Sequence, residues 1–226
     1  MCVFITGATR GIGLELVKGY AAAGRPVIGT SRDGSGPEVA GAEWAHLDVT
    51  APGSHRALAR TLDGRAVDLL VCNAGVYPDK GQSLADGYPP EMWAETFATN
   101  VTGVFLTVQS LLPNLQLSEA PKIAVISSQM GSDTRAAQRR GPGGSYVYRA
   151  SKAAALNLGL NLAADLRDLG IAVGIYHPGW VRTDMGGAGA EISVQEAAAG
   201  LSARFDALSL ETTGCFETWD GRDHPY

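Results

Sequence analysis

Tyr148 and Lys152 stand four residues apart at the start of a long helical pattern, Tyr148-Arg-Ala-Ser-Lys152, so one helix face would carry both. A free phenol ionises near pH 10 (roughly) and is a poor acid/base at neutrality. An ammonium on the same face, next to a cationic ring, would favour the phenolate and lower that value. The pair gains meaning from what precedes it. The run Ile126-Ser127-Ser128-Gln-Met-Gly131 ends a β-like stretch with hydroxyls at its tip. A hydroxyl there can donate to a carbonyl oxygen and orient it, and Ser128 is the preferred donor over Ser127. Asn100 and Gly103 fall inside a helical pattern, Thr96-Phe-Ala-Thr-Asn-Val-Thr-Gly-Val104, where both are poor formers. Either the Asn100 side chain interrupts the helix and holds a water leading to Lys152, or it faces solvent.

A second constellation opens the chain. Thr6-Gly-Ala-Thr-Arg-Gly-Ile-Gly13 follows a β-like stretch and starts a helical one. Backbone from Gly7 through Thr9, Arg10, Gly11 and Ile12 to Gly13 could approach a pyrophosphate closely, with helix N–H groups as donors. The next strand runs into Ser31-Arg32 and has no acid at its tip. Arg10 and Arg32 suit a ribose 2′-phosphate, which favours NADP(H) over NAD(H). Asp33, one residue on, pulls the other way. Asp48-Val49 ends the third strand, where a carboxylate accepts from an adenine amine or simply caps a loop. Asn73-Ala74-Gly75 ends the fourth with small residues, leaving room for a ligand across the strand ends.

These residues need elements to hold them. Strands are expected at Val3–Thr6, Pro26–Thr30, Glu43–Leu47, Asp68–Cys72, Lys122–Ser127, Ile171–Tyr176 and Gly214–Trp219. Helices are expected at Gly11–Ala23, His55–Leu62, Pro90–Leu117, Ser145–Leu169 and Ser193–Leu208. Alternation of this kind predicts an α/β fold: a Rossmann-like, doubly wound parallel sheet of about seven strands with helices on both faces. Asp33–Gly41 reads as a loop, and Gly186–Gly189 as a flexible small-residue stretch. The 226 residues fit one domain, spanning 1–226. A net charge of −5 argues against a nucleic-acid surface. No apolar run approaches the roughly 20 residues that span a bilayer, and no signal peptide is evident. Cys2, Cys72 and Cys215 are far apart, without metal-ligand spacing, and read as reduced thiols of a cytoplasmic protein. No metal is expected.

Taken together, Thr6–Gly13, Asp48, Asn73–Gly75, Asn100, Ser128, Tyr148–Lys152 and Pro178-Gly-Trp-Val-Arg-Thr183 resemble the short-chain dehydrogenase/reductase family, in family order and over nearly the whole chain. His177-Pro-Gly-Trp-Val-Arg-Thr-Asp-Met-Gly-Gly187 and Gly214-Cys-Phe-Glu-Thr-Trp-Asp-Gly221 look like its C-factor and sniffer-like carbonyl reductases. The resemblance implies a catalytic tetrad of Asn100, Ser128, Tyr148 and Lys152, with Lys152 also on the cofactor. It places Pro178, Gly179, Val181 and Thr183 at the nicotinamide end. It implies NADPH-dependent reduction of a small-molecule ketone or aldehyde. C-factor relatives keep a signalling or redox-sensing role open as the alternative. A sugar epimerase or dehydratase is less well served, since only about 40 residues follow Thr183 and those enzymes resemble longer chains. The interval from Ser128 to Tyr148 exceeds the family's. The extra Ser132–Ser145 carries Arg135, Arg139 and Arg140, and would rim the substrate mouth or cover an oligomer face. Monomer, dimer and tetramer all stay open. The short segment after Thr183 implies a slight lid. Met130, Trp93, Tyr77, Trp180 and Met185 are candidate pocket walls for a bulky apolar carbonyl compound.

Overall fold

The computed structural model describes residues 1–138 and 144–226. Three- to six-residue strands, almost wholly apolar in the middle of the sheet, alternate with helices along the chain. In order they are β1 (Val3–Ile5), α1 (Gly11–Ala22), β2 (Val27–Ser31), β3 (Ala42–His46), α2 (Pro52–Thr61) and β4 (Leu69–Cys72). Then come α3 (Pro90–Phe97), a π-helical turn (Ala98–Thr102), α4 (Gly103–Leu115), β5 (Lys122–Ile126) and a 3-10 turn (Gln129–Gly131). The rest is α5 (Asp133–Gln138), α6 (Tyr146–Leu166), a 3-10 turn (Arg167–Leu169), β6 (Ala172–His177), α7 (Val194–Ala207) and β7 (Phe216–Thr218).

The seven strands form one sheet in the order β3-β2-β1-β4-β5-β6-β7. Every pairing is parallel. Parallel sheets are buried on both faces, which is why β1, β4 and β6 read as unbroken buried runs instead of alternating ones. One face packs Leu58 and Leu62, Val104, Val108 and Leu111, and Leu162 and Leu166, from the α2, α4 and α6 side. The other packs Leu16 and Val17 of α1 against Ala198, Leu201 and Phe205 of α7. Each large aliphatic side chain buried this way contributes about 1.5–3 kcal/mol.

The strand order winds outwards from β1 on two sides, through β2 to β3 on one and from β4 to β7 on the other. A crevice therefore opens beyond the carboxyl ends of β1 and β4, where ligands of open α/β sheets bind.

Two expectations need correction, and a third segment gains detail. Pro90–Leu117 is not one helix: it breaks at the π turn, whose centre is the buried Asn100. A π turn inserts an extra residue, and here Asn100 turns inward to bond backbone outside its own helix. The Ser132–Ser145 segment includes a short helix, α5; Arg139 and Arg140 lie outside the described residues. Gly186–Gly189 is held by hydrogen bonds. Gly186 N donates to Thr183 Oγ1 at 3.0 Å, Gly187 N to Thr183 O at 2.7 Å, and Lys80 Nζ reaches the carbonyls of Met185 and Gly186.

Candidate active site

The chemistry expected of Tyr148 begins with where α6 starts and what it packs against. Tyr148, Ser151, Lys152 and Ala155 fall on its buried face, toward the tips of β4 and β5. Tyr148 is 7% exposed and Lys152 5%. Lys152 Nζ donates to the carbonyl of Ile126 at 2.8 Å, tying the helix to the last residue of β5. The 3-10 turn after β5 fits tightly against this part of α6. A Cβ on Gly131 would lie 2.5 Å from the Lys152 carbonyl carbon.

The two serines at the β5 tip make different bonds. Ser127 Oγ donates to the Lys152 carbonyl at 2.9 Å, and Ser127 also lines the cleft described below. Ser128 Oγ accepts from Met130 N at 3.1 Å and lies close enough to the Tyr148 phenol to favour its ionised form. The long interval between Ser128 and Tyr148 therefore does not keep them apart. Asn100 sits behind them. Its Oδ1 accepts from Val76 N at 2.8 Å, and its Nδ2 donates to Val76 O and Ser151 Oγ, each at 2.9 Å. Ser151 Oγ in turn donates to the Tyr148 carbonyl at 2.8 Å. Gly75 lies between Asn100 and Lys152: a Cβ there would stand 3.3 Å from Asn100 Oδ1 and 3.7 Å from Lys152 Nζ.

Burial sets the proton affinities. Desolvation pushes Tyr148 well above a free phenol; the neighbouring Ser128 opposes this, and Tyr77 and Asp79 reinforce it. Desolvation also lowers Lys152 to about 8. The shift of Tyr148 thus runs opposite to the lowering expected from Lys152, because loss of water dominates.

The second constellation lines a cleft of about 450 Å³ beside this group. It brings together Gly7, Thr9, Arg10, Gly11, Ile12, Ser31, Arg32, Asp48, Val49, Asn73, Ala74, Gly75, Tyr148, Lys152, Pro178 and Thr183. Gly7 has φ +63°, and its Cα faces Ala74 so closely that a Cβ would lie 2.9 Å from the Ala74 Cα. Gly13, Gly179 and Val181 stand behind the lining. A Cβ on Gly13 would meet Asn73 Nδ2 and the Gly7 carbonyl, both at 2.6 Å. Val181 is buried and bridges to Ile192. Asn73 secures the glycine turn, its Nδ2 donating to Thr6 O and Gly7 O at 3.0 Å. The N-terminus of α1 has no acidic residue in its first turn and no side-chain cap, so its amides are available to an anion.

At the far end, Asp48 Oδ1 accepts from Thr50 N and Thr50 Oγ1, which lowers its pKa and makes it a turn-former as well as a cleft residue. Asp33 is fully exposed and held at about 2, chiefly by Ser35 N and Ser31 Oγ. Arg10 pairs with Asp184 across the cleft mouth. Both side chains are largely exposed, 73% and 80%, so the pair is weak and yields readily to a better anion.

A family model described as short chain dehydrogenase matches residues 1–191. The chain belongs to that family. C-signal of Myxococcus xanthus is 35% identical over 172 residues, which is 76% of this chain and 99% of the relative. The 1-hydroxy-2-glutathionyl-2-methyl-3-butene dehydrogenase of Rhodococcus sp. (strain AD45) is 34% identical, covering 97% of this chain and 96% of its own. The NADPH-bound carbonyl reductase from chicken fatty liver superposes with a TM-score of 0.87 at 30% identity, covering 100% of this chain and 98% of the other.

Among the suggested pocket walls of this short-chain dehydrogenase, Tyr77 stacks on Tyr148 with centroids 4.1 Å apart, and Met185 lines the cleft. Trp180 is exposed and donates to the Gly186 carbonyl. Trp93 stacks on Phe97 of its own helix and is not in the cleft. Glu95 and Thr99 line the cleft without any sequence signal. Asp79, wholly buried beneath the start of α6, was also missed; a carboxylate in a Pro-Asp-Lys loop reads as a surface turn. Among the described residues no group of three metal-ligating side chains occurs, and no helix is long and apolar enough to cross a membrane.

Proposed function

We propose that the protein is an NADPH-dependent carbonyl reductase, with Tyr148 as the proton donor. The observation that carries this reading is the buried Tyr148 phenol beside Ser128, with Lys152 on the same helix face and Tyr148 and Lys152 both lining the cleft. The residues present fit a phosphorylated dinucleotide. The uncapped α1 amides would hold the pyrophosphate, and Arg10 and Arg32 the 2′-phosphate. Pro178 and Thr183 would hold the nicotinamide end. When bound, NADPH would supply the hydride for the substrate's carbonyl carbon. Ser128 holds the carbonyl oxygen, and Tyr148 donates a proton to it as negative charge develops. Burial keeps the phenol in its protonated, donor form at neutrality. Lys152 would hold the ribose and assist the phenol, and Asn100 would station a water that returns a proton towards Lys152. The NADPH-bound chicken enzyme supports the cofactor choice. A bulky apolar ketone or aldehyde is the expected substrate, and a reducing compartment such as the cytoplasm the expected setting.

Two measurements test this. Thermal shift and cofactor fluorescence should show tighter binding of NADPH than NADH. Replacing Arg32 or Arg10 by Ala should weaken NADPH by about tenfold each and leave NADH little changed. On a panel of aldehydes and ketones, Tyr148→Phe should lower turnover by about a thousandfold. Near-wild-type turnover in that variant would remove the assigned role. The relative C-signal favours a second reading, nucleotide-dependent signalling. NADPH binding with no turnover across the panel would favour it.

A further inference from the structure

Asp79 is a carboxylate with no solvent exposure, placed in the loop after β4. Its Oδ2 accepts from Val147 N at 2.8 Å, and both oxygens accept from Tyr148 N at 3.3 Å. These are the orphan amides of the first turn of α6, which a local cap would ordinarily satisfy. Ser145 occupies the cap position but in a left-handed conformation, φ 57°, and makes no capping bond. Its hydroxyl instead meets Tyr77 Oη at 2.5 Å. The Tyr77 ring lies nearly parallel to that of Tyr148, at 20°. Tyr148 is therefore gripped twice by one short loop, at its amide by Asp79 and on its ring by Tyr77.

Sinking a carboxylate to cap a helix is expensive when a serine already stands at the position. The cost is offset where the first turn must be held in one orientation. We infer that Asp79 is a positioning residue for the proton donor, fixing the first turn of α6 and, with Tyr77, the direction in which the Tyr148 hydroxyl points. This rests on the reading of Tyr148 as proton donor. The charge has a second effect. Among the described residues, the groups that face the phenol are Ser128, Tyr77, Asp79 and Lys152. Asp79 and Tyr77 both disfavour the phenolate, and Ser128 favours it.

Two variants divide these effects. Asp79→Asn keeps an acceptor and removes the charge, whereas Asp79→Ala removes both. The direct probe is the ¹³Cζ resonance of tyrosine-labelled protein saturated with NADP⁺, with the Tyr148 signal assigned by Tyr148→Phe. Asp79→Asn should move the Tyr148 ionisation down by about one pH unit. With an aldehyde that the panel shows to be reduced, Asp79→Ala should lower kcat by about tenfold or more. Its affinity for NADPH should stay within about twofold of wild type, since Asp79 is not in the cleft lining. A folded Asp79→Asn with an unmoved ionisation, together with an Asp79→Ala of wild-type kcat, overturns the inference. If neither variant folds, hydrogen exchange of the wild-type protein decides. Val147 and Tyr148 amides should exchange far more slowly than that of Tyr146, and equal rates overturn the cap. The NMR readout needs no turnover, so a catalytically competent Tyr148→Phe would sink the functional reading and leave the Asp79 result standing or falling by itself.

Discussion

Lys152 is a cation held almost out of water, and burial lowers its pKa to about 8. In an unfolded chain a lysine titrates near pH 10.4 (roughly). Between those values the unfolded state binds more protons, so stability rises with pH through that window. Below pH 8 the folded protein carries the full penalty of the buried charge. Lys152→Met, measured without cofactor at pH 7, should therefore raise the melting temperature by about 3 °C, and the gain should fade by about pH 10. The loss of the bond to the Ile126 carbonyl limits the gain, and turnover should disappear with it. An unchanged or lowered melting temperature at pH 7 would mean that this bond outweighs the desolvation. At this scale much was legible. Tyr148, Lys152 and Ser128 stand at strand tips and helix starts, where residue type and spacing suffice to find them. The direction of the Tyr148 shift was not legible, because burial belongs to the fold and not to a motif. Asp79 was not legible either, its partners lying 68 and 69 residues along the chain.

Helices and strands came through with ends displaced by a few residues, since apolar periodicity marks the middle of an element better than its end. The break at Asn100 was visible only as a weakness in a helical pattern; its form, a π turn, follows from bonds to Val76 in another segment. The stretch after Thr183 shows the limit of composition. Small residues there suggest looseness, yet Lys80 straps it through the carbonyls of Met185 and Gly186, and Trp180 Nε1 adds a bond to the latter. Lys80→Ala should free this element. Amide exchange across residues 183–189 should quicken by about tenfold, with the KM for NADPH rising and the fold's melting temperature nearly constant. Unaltered exchange would show that the glycine turn and the Val181–Ile192 bridge suffice alone.

The whole molecule answers to acid through the far edge of the sheet. His177 ends β6, buried next to His224, and desolvation pushes its pKa down to about 3, with His224 and Arg135 adding to the effect. An unfolded histidine titrates near pH 6.5 (roughly), so the unfolded state takes up the proton first as pH falls. The stability His177 permits at neutrality is lost as pH drops from about 6.5 towards 3. A wild-type melting curve should fall by about 5 °C between pH 7 and pH 4.5 from this residue, and His177→Leu should flatten the decline. Equal slopes would assign acid sensitivity to other groups. The parallel sheet with covered faces was readable from the alternation of strands and helices, because each crossover demands a helix. The helix carrying Tyr148 has a further property at this scale. Its first turn is closed by a carboxylate 68 residues upstream, on the far side of α3 and α4. Long-range closures of this kind come late in folding, after local helices have formed. During synthesis Asp79 precedes α6 by many residues, so this closure forms only after the helix itself has been made. The placement of Tyr148 is thus a property of the assembled tertiary structure and not of its own helix segment.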